Sequence, residues 1–148
     1  MRNLFISLAL LIATSCGAQS LTPVIQVAGH HKANISFDVA NNMLTPAVLT
    51  LEPVSMTPGP NGPTYRTLDS DAHVEVSELS AKLGAKQHHT FRAKISCASD
   101  CVVAIWVTFM PPKQENGAQV AIHFPETAYI CESAKNCREN TLKANGAL

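Results

Sequence analysis

Apolar and polar residues alternate with a period of two along most of the chain, as they do in half-buried β-strands. In Asn34-Ile35-Ser36-Phe37-Asp38-Val39, the residues Ile35, Phe37 and Val39 share one face, and Asn41-Asn42 ends the run. Residues 90–95 alternate in the same way, with Phe91, Ala93 and Ile95 inward and Arg92 and Lys94 outward. Shorter runs predict strands over residues 22–27, 46–52 (Leu49 and Leu51 inward) and 73–76 (Val74 and Val76 on one face). Pro23 suits an edge position. Residues 102–110 form the most continuous apolar stretch, rich in β-branched residues and holding the only tryptophan, Trp106. That pattern predicts a central strand covered on both faces. A last strand is expected over residues 118–124, with Val120, Ile122 and Phe124 on one face and Pro125 interrupting it. The segment Pro58-Gly59-Pro60-Asn61-Gly62-Pro63 predicts an irregular connection over residues 53–71, and residues 77–87 read as a short link turning at Gly84. About seven short strands with no room for parallel crossovers imply an all-β, two-sheet antiparallel sandwich.

The N-terminus breaks this pattern. Arg2 is followed by an apolar run from Leu4 to Ala13 and then by Thr14, Ser15, Cys16, Gly17 and Ala18. Positive charge, short apolar segment and small residues, in that order, make residues 1–18 a signal peptide, too short in its apolar part to span a bilayer. The expected organisation is therefore a signal peptide at 1–18, a β-sandwich domain at 19–137 and a polar C-terminal tail at 138–148. Cleavage after Ala18 would discard Cys16. Alternatively, Ala13-Thr14-Ser15-Cys16 resembles a bacterial lipobox, with Ala13 where leucine is usual, and Cys16 would carry a lipid anchor. The expected location is the periplasm or the exterior, with an outer-membrane-anchored lipoprotein as the alternative.

Charge and composition narrow the functional classes. Eleven basic residues balance eleven acidic ones, which argues against a nucleic-acid partner, and 46% hydrophobic residues can supply a core. Setting Cys16 aside leaves four of the five cysteines: Cys97, Cys101, Cys131 and Cys137. In an oxidising compartment they read as two disulfides. The pairs 97–101 and 131–137 are close enough to close small loops, although three connectivities are formally open. A four-thiolate zinc site is the rival, and the spacing lacks the usual CxxC knuckles.

Two histidine pairs, His30-His31 and His88-His89, are the candidate ligands for a copper or zinc module. In an immunoglobulin-like sandwich the second and fifth strands pair antiparallel, which would put the two pairs at opposite poles. The same topology would gather all four cysteines at one pole. Asp69, Asp71, Glu75 and Glu78 read as a solvated acidic face. With no Gly-x-Ser-x-Gly, HExxH or glycine-rich phosphate loop in the sequence, no catalytic residue is assigned, no enzyme is expected and no cofactor is called for.

The order of segments resembles the N-terminal immunoglobulin-like domain of PapD-like periplasmic chaperones, which assist pilus assembly. The resemblance rests on Asn34-Ile35-Ser36-Phe37-Asp38-Val39-Ala40-Asn41, on Leu83-Gly84-Ala85-Lys86-Gln87, on Val107-Thr108-Phe109-Met110-Pro111-Pro112 and on Asn116-Gly117-Ala118-Gln119-Val120-Ala121-Ile122. It spans most of residues 21–130 through short motifs. It implies an immunoglobulin-like fold whose last strand lends alternating apolar residues to an incomplete partner, a form of β-strand addition. Val120, Ile122 and Phe124 would be those residues; the plainer alternative has them filling the sandwich's own core. The resemblance also implies a basic pair that anchors a partner's terminal carboxylate. Here residues 21–29 hold no arginine, and Thr127 or a neighbour stands where a lysine is expected. The expected function is that of an exported, chaperone-like protein-binding sandwich, accessory to surface or pilus protein assembly. Its partner would be another exported or envelope protein. A metal-binding module and a structural envelope lipoprotein are the alternatives.

Overall fold

The computed structural model describes residues 19–112 and 120–137. The expected signal segment with Cys16, the expected tail at 138–148 and the first two positions of the expected last strand, Ala118 and Gln119, lie outside the described residues. Ten strands are present among those described: β1 (Ser20–Thr22), β2 (Ile25–Ala28), β3 (Lys32–Ala40), β4 (Ala47–Thr57), β5 (Thr64–Thr67), β6 (Ala72–Val76), β7 (Ser80–Leu83), β8 (His88–Cys97), β9 (Cys101–Met110) and β10 (Ile122–Ile130). They form two packed sheets. One is ordered β1-β3-β8-β6, and the other β2-β10-β9-β4-β5 with β7 also paired to β4. All pairings are antiparallel except β2 with β10.

Alternation translates directly into packing. Ile35, Phe37 and Val39 of β3 face Phe91, Ala93 and Ile95 of β8 within the core, and Phe37 stacks on its cross-strand partner Phe91 at 5.7 Å. The second sheet answers with Leu49, Leu51, Val103, Ile105, Val107, Phe109, Ala128 and Ile130. Burial of this much aliphatic and aromatic surface is the main force holding the sheets together. β9 is central, between β10 and β4. Its outer face is covered near one end by a second cluster of Val54, Met56, Ala104, Tyr129, Cys131 and Cys137, flanked by Tyr65 and Trp106. Both faces of β9 therefore carry apolar residues, and strict alternation is lost there.

The structure corrects the strand count of about seven in three places. The expected strand at 22–27 is two strands in different sheets, because the chain crosses between sheets at Pro23 and Val24; the Thr22–Pro23 peptide is cis. The strand expected to stop at Glu52 continues to Thr57, and part of the expected irregular segment returns as β5. Pro53 is tolerated because β7 pairs with β4 only through Thr50 and β5 only from Val54. It thus falls in the gap between two neighbours, where no ladder partner needs its missing N–H. The link at 77–87 contains β7 before the turn at Gly84. The last strand departs in length as well, running through Pro125 to Ile130.

Two local knots fix the ends of the sandwich. Asn41 is fully buried at the end of β3. Its side-chain amide donates to the carbonyls of Thr45 (2.8 Å) and Gly84 (3.0 Å), and its Oδ1 accepts from Met43 N (3.2 Å). Thus Asn41 and the Leu83–Gln87 turn, distant in sequence, meet in space, and the Asn41 N–H donates to Gln87 O at 2.8 Å. At the other pole, Cys97 is bonded to Cys101 and Cys131 to Cys137. Cys101 is the cross-strand partner of Ile130, next to Cys131, so all four sulfurs lie at this pole. Gly29 is required here, since a Cβ at that position would sit 2.9 Å from Ala134 N.

Candidate partner-binding edge

β10 has two neighbours over only part of its length. On one side β9 pairs with it from Ile122 to Ile130. On the other, β2 pairs in parallel from Thr127 to Ile130. N-terminal to Thr127, no strand among the described residues occupies that second side. Among the described residues, the backbone of 120–126 is therefore an open sheet edge. Thr127 N–H donates to Val24 O (2.9 Å) and Cys131 N–H to Ala28 O (3.0 Å), so the odd-numbered amides point to this side. By the same alternation, residues 121 and 123 direct their N–H groups to the open edge, and Pro125 presents none.

The side chains along this edge divide by depth. Phe124 packs edge-on against the buried Phe109, with ring centroids 5.8 Å apart. Ile122 is 38% exposed and Val120 65% exposed. Of the three residues expected to lend apolar side chains, Phe124 reaches the core, and the other two extend the same inward phase beyond it. The exposed Val24 and Ile25 lie where β2 begins, at the inner end of the open segment. On the opposite face, His123 Nδ1 is 2.8 Å from Thr108 Oγ1, and its ring stands edge-on to Trp106, which meets Tyr65 at 4.6 Å.

Following the inward phase leads to a residue that sequence reasoning missed. After Phe124 comes Glu126, which is 0% exposed. Its Oε1 accepts a 2.7 Å hydrogen bond from Gln26 Nε2 of β2, and that amide also reaches Ser36 O of β3 at 3.2 Å. The Glu126 Oε2 is buried with no hydrogen-bond partner among the described residues. Burial pushes the carboxyl pKa up to about 7, against a smaller opposing effect of the Gln26 bond. The signal was present: continuing the alternation past Pro125 places Glu126 between Phe124 and Ala128 on the core face.

The remaining candidates fall elsewhere. Ala40 pairs with His88 and Lys32 with Ser96, so His88-His89 lie at one end of the β3–β8 ladder and His30-His31 near the other. Among the described residues, no three of His, Cys, Asp and Glu converge on a metal-holding group. His30 and His31 have a backbone role. Both adopt left-handed φ (62° and 53°), and their N–H groups donate to Glu132 O and Cys131 O. Histidine is among the residues enriched in that region, so a turn accounts for the pair. His89 Nε2 lies 2.5 Å from Glu78 Oε1, and its ring is edge-on to Phe91. Within the acidic set, Asp69 is held by Arg66, whose hydrogen bonds keep its carboxyl below the usual range.

No protein-family model matches the sequence, and no curated protein matches it significantly. Solved structures do match in shape. The class 5 fimbriae chaperone CfaA superposes with a TM-score of 0.61 at 11% identity, over 78% of this chain and 57% of CfaA. The SafB chaperone, solved with the Salmonella enterica pilin SafA, gives 0.56 at 17% identity over 82% of this chain and 58% of its counterpart. A chain of the CsuC–CsuE chaperone–tip adhesion subunit complex from Acinetobacter baumannii gives 0.54 at 14% identity over 86% and 68%. The chain therefore has the PapD-like, immunoglobulin-like sandwich fold. It spans a little under three fifths of the CfaA and SafB chains it matches. Among the described residues, no helix is long and apolar enough to cross a membrane.

Proposed function

We propose that this protein is an exported, chaperone-like module that binds another exported or envelope protein by β-strand addition along β10. The observation that carries the reading is the open edge at 120–126, where Val120 and Ile122 continue the core-facing phase without being enclosed. An edge of this kind presents backbone hydrogen-bonding groups and alternate apolar side chains together, which an extended partner lacking one strand of its own can use. Chaperones of similar fold have been solved with a pilin and with a tip adhesion subunit. Two disulfides at one pole fit an oxidising compartment. With no arginine in β1 or β2 and Thr127 uncharged, the reading rests on edge pairing and not on capture of a terminal carboxylate.

The test is affinity capture from the native envelope with wild type, Ile122→Asp and, as a control, Leu79→Asp, which alters an exposed leucine away from this edge. Partners lost with Ile122→Asp and kept with Leu79→Asp are expected. If the same partners are retained by all three proteins, β10 is not the binding strand.

A further inference from the structure

Glu126 stands at the junction between the closed and open parts of β10. Its pairing partner across β9 is Ile105, and its other neighbours are the uncharged Gln26 of β2 and the core face of β3. The charged residues of β3, Lys32 and Asp38, lie on that strand's exposed face. His123 lies on the opposite face of β10, and β2 and β9 carry no charged side chain. Among the described residues no basic group therefore faces the carboxyl, and a single amide from β2 is its hydrogen-bond donor. Ionised, it would be a buried anion with one donor; neutral, it is a far cheaper occupant of an apolar interior. The way to hydrate it is to move β2, because β2 supplies Gln26 and the residue just before it, Val24, supplies the backbone acceptor for Thr127.

We propose that Glu126 is a proton-operated latch on the β2–β10 pairing: neutral, it keeps β2 closed on β10, and ionised, it favours release of β2. Release would lengthen the open edge from residues 120–126 to include Thr127–Ile130. Protonation thereby sets how much of β10 is available to a partner. The bearing on partner binding rests on the strand-addition reading; the latch itself does not.

The test therefore uses no partner. Amide hydrogen exchange, corrected for the intrinsic pH dependence of exchange, is measured at pH 5.5 and 8.5 in wild type and Glu126→Gln. The expected result is a loss of protection in wild type at Thr127 and Cys131, up to roughly 30-fold, as the carboxyl ionises. Amides of the β3–β8 ladder, which exchange by global unfolding, should stay more protected at pH 8.5 than Thr127 and Cys131, and Glu126→Gln should show no such loss. Equal behaviour of the two proteins, or Thr127 and Cys131 exchanging no faster than the β3–β8 amides at pH 8.5, overturns the latch. Direct titration of the Glu126 side-chain carbon by NMR covers the case in which the variant fails to fold: a midpoint near that of an ordinary exposed glutamate also overturns it. Failure of the envelope capture with an intact exchange effect would reject the partner reading alone.

Discussion

Ile122 and Ile130 are the same residue, on the same strand, in the same phase, and they differ completely in burial. Ile130 is 0% exposed and Ile122 is 38% exposed. The difference follows from the neighbours of β10: two at Ile130, one at Ile122. Hydrophobic patterning assigns a face, while enclosure depends on what lies beyond the edge. The two halves of β10 thus separate a structural role from the proposed binding role within one alternating stripe.

The sharpest way to break this comparison is to truncate both isoleucines. Ile130→Ala is expected to destabilise the fold by about 3–4 kcal/mol in urea unfolding, as a cavity opens in a packed core. A loss under about 1 kcal/mol would show that the closed half is no better packed than the open one. Next in size is the pH dependence set between the halves by Glu126. Its carboxyl titrates near 7 in the folded state and near 4.5 when unfolded. Below 4.5 both states hold the proton, and burial carries no ionic penalty. As pH rises from 4.5 to 7 the unfolded chain releases the proton that the native state keeps, so stability falls, and above 7 the loss is complete. That loss is about 3 kcal/mol. It is expected in wild type relative to Glu126→Gln when urea midpoints are compared at pH 4.5 and 8; parallel curves for the two proteins would place the carboxyl in water. The smallest effect belongs to the open half. Ile122→Ala should change stability by less than about 1 kcal/mol, since much of the removed surface is already hydrated. A loss approaching that at Ile130 would mean that the edge is closed in solution.

Much of this architecture was legible in the alternating residues. Phe37 and Phe91 can each be assigned an inward face from pattern alone, and the cysteines and histidine pairs fall at poles once the second and fifth strands are antiparallel. What escaped shares a cause. Local pattern ends one strand at Pro53, since proline cannot donate a ladder hydrogen bond, and has Pro125 interrupt another at a bend or an edge; among the described residues each lies where β4 or β10 has no neighbour on the relevant side. Edge occupancy is a tertiary property that local pattern does not record. Stopping at Pro125 also hid Glu126, and with it the polar residue of the candidate site. The side chains of His30 and His31 draw attention as candidate ligands, while pattern gives no sign of the left-handed backbone both adopt at their turn.

Pro125 has a further consequence for the life of the protein in a crowded compartment. An uncovered strand invites indiscriminate zippering with any extended chain, including another copy of itself. By withholding one N–H in the middle of the uncovered stretch, Pro125 leaves Ala121 and His123 as the donors on that side before Thr127, which is already engaged. A passing chain can gain only a short, interrupted ladder from the backbone. On the strand-addition proposal, lasting attachment would then depend on filling the space beside Val120 and Ile122, and the proline would turn a sticky edge into a selective one.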